Sequence, residues 1–284
     1  MLSFLKDLVP SQAPSPVKII VIGAGQRGSM YASEIRRRCP TTATVVGVCE
    51  PNPVRLREFQ AEFSVPAAGV FDDWKALVKL PKMADAVLIC VQDALHAEVA
   101  IECARLQYHI MLEKPMAVSI ADCLSISQAV RSSGVMLAVG HVLRYAPVNV
   151  QIKQIVQSGV LGQVCNIQHL EPVGYYHFAH SYVRGNWSHE QQSTFSLMAK
   201  SCHDIDLLTY FMEGDECLRV SSFGSLTHFK KAKKPKEAAD ATRCLDCKFE
   251  ASCPYSAKKI YLDEVKAGNK GWPVSVVSDI VGKC

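Results

Sequence analysis

The hydrophobic positions change rhythm about halfway along the chain. From Val17 to Val139, short and nearly continuous apolar runs alternate with amphipathic stretches, and the connections between them are short. The runs 17–22, 43–49, 84–91, 108–112 and 135–139 are the expected strands. They lack polar alternation, as strands covered on both faces do. Between them, 29–39, 53–63, 72–78, 94–107 and 119–133 are the expected helices. Repeated strand–helix units predict an α/β fold with a doubly wound parallel sheet and right-handed crossovers. Ligands of such sheets bind beyond the carboxyl ends of the strands, so the residues that follow each strand carry the most information.

Beyond Arg144 the pattern becomes mixed. Residues 146–158 are expected to form a helix, with Val150, Ile152, Ile155 and Val156 as its apolar positions, and Gly159 and Gly162 bound the following turn. The alternation in 163–171 and 217–229 predicts two strands of a second sheet. Residues 194–212 predict one long helix whose stripe Phe195, Met198, Cys202, Ile205, Thr209 and Met212 faces the core. Lys200, His203 and Leu207 occupy a second face, flanked by Asp206. A short helix at 256–265 and a strand at 273–277 complete the expectation. The organisation read from this pattern is an arm at 1–16, a doubly wound α/β domain at 17–145 and a second domain at 146–284. A cysteine-containing insertion spans about 230–257.

Composition narrows the class. A chain of 284 residues is long enough for two domains. Its 31 basic and 27 acidic residues leave a charge of +4, too mild to argue for a nucleic-acid or membrane partner. The lysines from Lys230 to Lys236 read as a solvated surface. The first 16 residues lack the basic and apolar regions of a signal peptide. Many of the 12 cysteines fall inside expected elements (Cys49, Cys90, Cys103, Cys123, Cys165, Cys202), as reduced thiols of a cytoplasmic protein would. Cys244, Cys247 and Cys253 have metal-like spacing. A closed zinc site needs a fourth ligand, from Cys284 or His228, and the reading taken is that no metal is bound there.

The chemistry begins at the end of the first strand, where Ile19–Ile22 runs into Gly23-Ala-Gly25-Gln26-Arg27-Gly28. A tight turn at Gly23, close backbone approach at Gly25 and close helix–strand packing at Gly28 suit a dinucleotide pyrophosphate on a helix N-terminus. Glu50 closes the next strand 22 residues after Gly28. A carboxylate there accepts hydrogen bonds from ribose hydroxyls and repels a 2′-phosphate, which places NAD ahead of NADP. Three later strand ends add ionisable groups: Gln92 to His96, Glu113-Lys114-Pro115, and His141 with Arg144 and Tyr145. Pro115 restricts Lys114 to extended backbone, and a lysine held this way can orient a hydroxyl and lower its pKa.

The glycine loop, Glu50, the segment Gln92–His96 and above all Glu113-Lys114-Pro115 resemble the Gfo/Idh/MocA oxidoreductases. The resemblance implies a Rossmann domain followed by an α+β open-sheet domain, here shortened at its C-terminal end. It also implies hydride transfer between NAD(P) and a sugar, inositol or related polyol. Lys114 and His203 are then the catalytic candidates. Gly23, Gly25, Gln26, Arg27, Gly28, Glu50, Gln92, His96 and Glu113 are the cofactor candidates. Arg144, Tyr145, Tyr176, Trp187, Lys200 and Asp206 are the substrate candidates. His203 and Asp206 match the last two members of the family's Asp-x-x-x-His-x-x-Asp pattern, whereas Ala199 stands where the first aspartate belongs, with Lys200 or Asp204 as its possible replacement. Two alternatives accompany this reading: a glycosidase that oxidises its substrate transiently with NAD, and an NAD-binding protein without chemistry that acts as a sensor or partner. Pairing of open sheets implies a homo-oligomer.

Overall fold

The computed structural model describes residues 15–269, 271–274 and 276–277. Most of the expected N-terminal arm, and Cys284, therefore lie outside the described residues. By its internal contacts the chain divides into two units. The first runs to Val91 and takes in Leu95–Glu113 and Ser119–Ala138; the second comprises Gln92–Ala94, Lys114–Val118 and everything from Val139 on.

The first unit is built on strands β1 (Val17–Ile22), β2 (Ala43–Cys49), β3 (Val70–Phe71), β4 (Ala86–Ile89), β5 (His109–Leu112) and β6 (Leu137–Val139). They form one sheet in the order β3-β2-β1-β4-β5-β6, the doubly wound order of a Rossmann fold. Strand β1 pairs in parallel with β2 and with β4, and β4 with β5. The apolar runs are buried as their lack of alternation predicts: Val21, Val87, Ile89 and Leu112 are all fully buried. The two-residue strand β3 has no separate signature in the sequence. It exists because Val48 and Cys49 of β2 offer it a partner edge.

The helices α1 (Gln26–Arg38), α2 (Pro53–Phe63), α3 (Trp74–Leu77), α4 (His96–Arg105) and α5 (Ile120–Ser133) connect the strands. Their ends follow local rules. The Asn52 side chain accepts from the Val54 and Arg55 amides, with Pro53 in the first turn of α2. Ser119 caps α5, which stops at Gly134 in the left-handed conformation. The chain order reverses between β1 and β4, and there the loop from β1 into α1 opens at the carboxyl edge of the sheet.

The second unit contains α6 (Pro147–Gln157), α7 (Tyr175–Phe178), π-helical turns at Ala179–Val183 and Lys258–Asp263, α8 (Ser196–Ala199), α9 (Cys202–Phe211) and α10 (Glu264–Lys266), with several 3₁₀ turns. Three expectations are corrected here. The stretches 163–171 and 217–229 carry no strand, and Leu170, Leu218, Val220 and Phe223 are largely exposed. Alternation makes a strand only where a neighbour pairs with its backbone, and these stretches have none among the described residues. Residues 273–277 are turn and helix rather than strand wherever they are described. The expected helix 194–212 is broken at Lys200 and Ser201 into α8 and α9. On a straight helix Ala199 and Asp204 would point roughly 140° apart, yet both are buried. The break resolves that conflict. The supposed core stripe is correspondingly open, with Phe195 and Ile205 about half exposed.

Candidate functional site

Two constellations stand out, one in each unit. In the first unit the loop after β1 is shaped by backbone contacts that exclude side chains. Gly23 has φ +97, and a Cβ there would lie 2.5 Å from the Cys90 carbonyl oxygen. At Gly28 a Cβ would lie 2.1 Å from the Gly23 oxygen. Nothing lies within 4 Å of the Cβ position of Gly25, which leaves clear space over the loop backbone. The first turn of α1 has amides without intrahelical acceptors and no acidic side chain, so its positive end is intact. This cradle fits a pyrophosphate.

Glu50 is buried beside it. Its Oε2 accepts the Ala24 amide at 2.8 Å and its Oε1 the Asn52 amide at 2.9 Å. Each oxygen keeps a second lone pair, so the carboxylate both braces the loop and retains capacity for ribose hydroxyls. Glu113 is buried too. Its Oε1 accepts from Arg27 Nε at 3.0 Å and from the Tyr31 hydroxyl at 2.6 Å. Burial works against the Arg27 charge, yet Glu113 and Tyr31 hold its pKa above the usual value. Burial, then the bond to Glu113, pushes the Tyr31 phenol upward. Burial first, with Glu113 adding to it, pushes the Cys90 thiol up to about 12. His96 is fully buried, its Nε2 3.2 Å from the Val91 carbonyl oxygen, while Gln26 is exposed.

In the second unit the peptide between Lys114 and Pro115 is cis. Lys114 Nζ donates to the Ala199 carbonyl at 2.8 Å. Cys202, two residues before Asp204, is half-buried; burial raises its thiol pKa, and the Lys114 ammonium opposes that rise. His203 sits with its ring 5.8 Å from that of His141, edge to face. Asp206 accepts two bonds from Arg144, each 2.7 Å, and lies 4.0 Å from His141 Nδ1. A cavity of about 370 Å³ is lined by His141, Phe195, Met198, Cys202, Ile205 and Asp206 among others.

The other sequence-selected residues are placed as follows. Trp187 Nε1 donates to Asp93 Oδ2 at 2.7 Å, so the indole is held by a buried carboxylate. Tyr145 and Gln92 are exposed, and Tyr176 packs its ring 5.9 Å from that of Trp272. Lys200 does not pair with Asp204; it binds Glu171, and Asp204 binds His169 Nε2 at 2.8 Å. His177 lies within electrostatic reach of Lys114, Lys200 and Glu171. Burial first and then Lys200 lower its pKa. Asp93, His169, Glu171 and His177 escaped the sequence reading. The one signal they offered was ionisable residues inside otherwise apolar or aromatic segments. Cys244, Cys247 and Cys253 form no metal-sized group among the described residues, and Cys244 Sγ accepts the Ala257 amide at 3.3 Å.

With the geometry in place, comparisons with known proteins identify the N-terminal part. Residues 17–141 match the Gfo/Idh/MocA oxidoreductase family, described as an NAD-binding Rossmann fold. The chain is 28% identical over 232 residues to the 1-carboxy-3-chloro-3,4-dihydroxycyclohexa-1,5-diene dehydrogenase of Comamonas testosteroni, spanning 80% of this chain and 54% of that protein. It is 27% identical over 212 residues to the myo-inositol 2-dehydrogenase of Thermotoga maritima, spanning 74% and 59% respectively. The fold is similar to that of the WlbA dehydrogenase from Bordetella pertussis, solved with NADH and UDP-GlcNAcA. That likeness has a TM-score of 0.59 and 23% identity, over 71% of this chain and 58% of the other. The chain thus spans a little over half the length of these relatives.

Proposed function

We propose, since residues 17–141 match the Gfo/Idh/MocA oxidoreductases, that the protein binds NAD, with NADP second, and serves in hydride transfer on a sugar, inositol or related polyol. The carrying observation is the Lys114 ammonium, held at 2.8 Å by the Ala199 carbonyl in the unit that also holds His203. The glycine loop supports the cofactor half of the reading. Gly25 leaves room for the pyrophosphate, and Glu50 keeps lone pairs for ribose hydroxyls while disfavouring a 2′-phosphate.

The bound dinucleotide supplies the hydride acceptor or donor. The chain's own residues manage the proton. Lys114 orients the reacting hydroxyl and lowers its pKa, and His203 takes the proton as general base. Trp187, Tyr145 and Tyr176 offer ring faces to a polyol, and Lys200 offers a donor. Arg144 and Asp206 neutralise one another, so we assign them to shaping the wall near His141 rather than to direct recognition. No described helix is long and apolar enough to cross a membrane. We place the protein in the cytoplasm, where thiols such as Cys49, Cys90 and Cys103 stay reduced, and read it as a homo-oligomer.

The test is to measure NAD and NADP binding by fluorescence and then screen sugars and inositols for absorbance change at the NADH band. NAD binding with turnover on at least one polyol is the expected result. Sugar release without net NADH identifies the glycosidase alternative. NAD binding without turnover across a broad panel overturns the dehydrogenase reading in favour of a sensor, the variant that Ala199 favours.

A further inference from the structure

The second unit draws together His169, Glu171 and Asp204, one from each of three positions spanning an irregular stretch and the first turn of α9. Their ligating atoms all lie within 4.8 Å of one another. His169 Nε2 is 2.8 Å from Asp204 Oδ1, and Lys200 Nζ is paired with Glu171 Oε1. A second observation concerns Asp204 itself. The residue is only 7% exposed, and its Oδ2 is buried with no hydrogen-bond partner among the described residues. A carboxylate oxygen stripped of water and given no donor is an unfavourable arrangement unless a positive centre faces it.

We propose that His169, Glu171 and Asp204 bind a divalent transition-metal ion of the zinc type. The donor set is one imidazole nitrogen and two carboxylates. That combination suits zinc, cobalt or manganese better than magnesium or calcium, which prefer oxygen ligands alone. Three protein ligands leave at least one coordination position for water or a substrate oxygen. Metal–ligand bonds of about 2.0–2.2 Å require the donors to close in. His169 and Glu171 are exposed on chain without regular structure, so they are the ones free to move, whereas Asp204 is anchored on α9. Binding replaces the His169–Asp204 contact by two metal bonds and displaces the Lys200 ammonium from Glu171. Lys200 is therefore a built-in competitor for the ion. The site does not depend on the dinucleotide or on the reading of the reaction.

Equilibrium dialysis of the full chain against Zn²⁺, with the metal quantified, tests this directly, and Co²⁺ serves as the spectroscopic probe. One ion per chain is expected. Cobalt should give visible d–d bands without the intense near-ultraviolet absorption of thiolate ligation. His169→Ala, Glu171→Gln and Asp204→Asn should each weaken binding at least about tenfold, and Lys200→Met should tighten it. The Lys200 variant tests the competition without removing a ligand, and the absence of thiolate absorption in its cobalt spectrum excludes binding by cysteines of a damaged fold. Circular dichroism on each variant checks the fold independently. No retained ion overturns the proposal. So does an ion that survives all three ligand changes, or one lost in Cys244→Ser and Cys247→Ser. Weakening by Asp204→Asn alone, with His169→Ala and Glu171→Gln unchanged, also overturns it.

Discussion

Lys114 and Ala199 lie 85 positions apart in the sequence, yet the lysine's Nζ donates to the alanine's carbonyl oxygen at 2.8 Å. Ala199 stands where related sequences are expected to place an aspartate. At that position the structure offers the ammonium a backbone acceptor. The proposed role of the lysine in orienting a hydroxyl rests on this placement. Lys114→Ala is expected to lower turnover by about 10²–10⁴-fold, the range of a lost acid–base group, and to leave NAD affinity within a few-fold. Steady-state rates and a fluorescence titration on the same preparation check it; unchanged turnover refutes the role.

Two glycine substitutions should separate fold from cofactor. Gly28→Ala places a methyl 2.1 Å from the Gly23 carbonyl oxygen, which forces backbone to move. Overpacking of this kind costs about 1–3 kcal/mol, so the melting temperature and NAD affinity should fall together. At Gly25 the added methyl meets nothing within 4 Å. Gly25→Ala should leave the melting temperature nearly unchanged while weakening NAD. Equal losses in both variants would contradict a pyrophosphate over Gly25.

The Arg144–Asp206 pair is bidentate, with both bonds at 2.7 Å and the carboxylate largely buried. The guanidinium is more than a third exposed, so solvent screens part of the attraction. A double-mutant cycle of Arg144→Ala and Asp206→Asn should give a coupling of about 1 kcal/mol. Chemical denaturation measures it, and additivity of the two changes would show the pair to be idle.

Stability should depend on pH through His180. Burial first, then the neighbouring charges of His177 and Arg184, lowers its pKa in the folded state. Its Nδ1 lies 2.7 Å from the Tyr261 hydroxyl. Above about pH 6.5, the ordinary histidine value, the ring is neutral both folded and unfolded, and it adds no slope. Below that value the unfolded chain takes up the proton first, so stability falls as pH drops, until the folded ring is also protonated. Melting temperatures of the parent and of His180→Asn between pH 8 and 5 should diverge in slope below 6.5. Parallel curves would remove His180 as the source.

Hydrogen exchange should distinguish the two alternating stretches from true strands. Amides in 163–171 and 217–227 lack strand partners in the structure and should exchange rapidly, while those of β1 and β4 should be protected to near the global stability. Strong protection in either stretch would mean that it pairs, for instance in an oligomer.

Local patterns were legible in the sequence because short-range physics writes them. Strand β1, the glycine turn and α1 follow from adjacent residues: β-branched runs pair, glycine alone tolerates the Gly23 turn, and the helix starts where the loop releases it. The caps of α2 and α5 are similarly local, and the motifs around Glu50 and Lys114 point to a Rossmann oxidoreductase that residues 17–141 match. What only the tertiary structure decided are the long-range pairings. Lys200 with Glu171, His169 with Asp204, Trp187 with Asp93 and Lys114 with Ala199 have no spacing in the sequence to announce them. The break between α8 and α9 belongs to the same class, since helical periodicity was satisfied throughout 194–212. Burying both Ala199 and Asp204 required the chain to turn, and that demand comes from what packs around a helix rather than from its own residues.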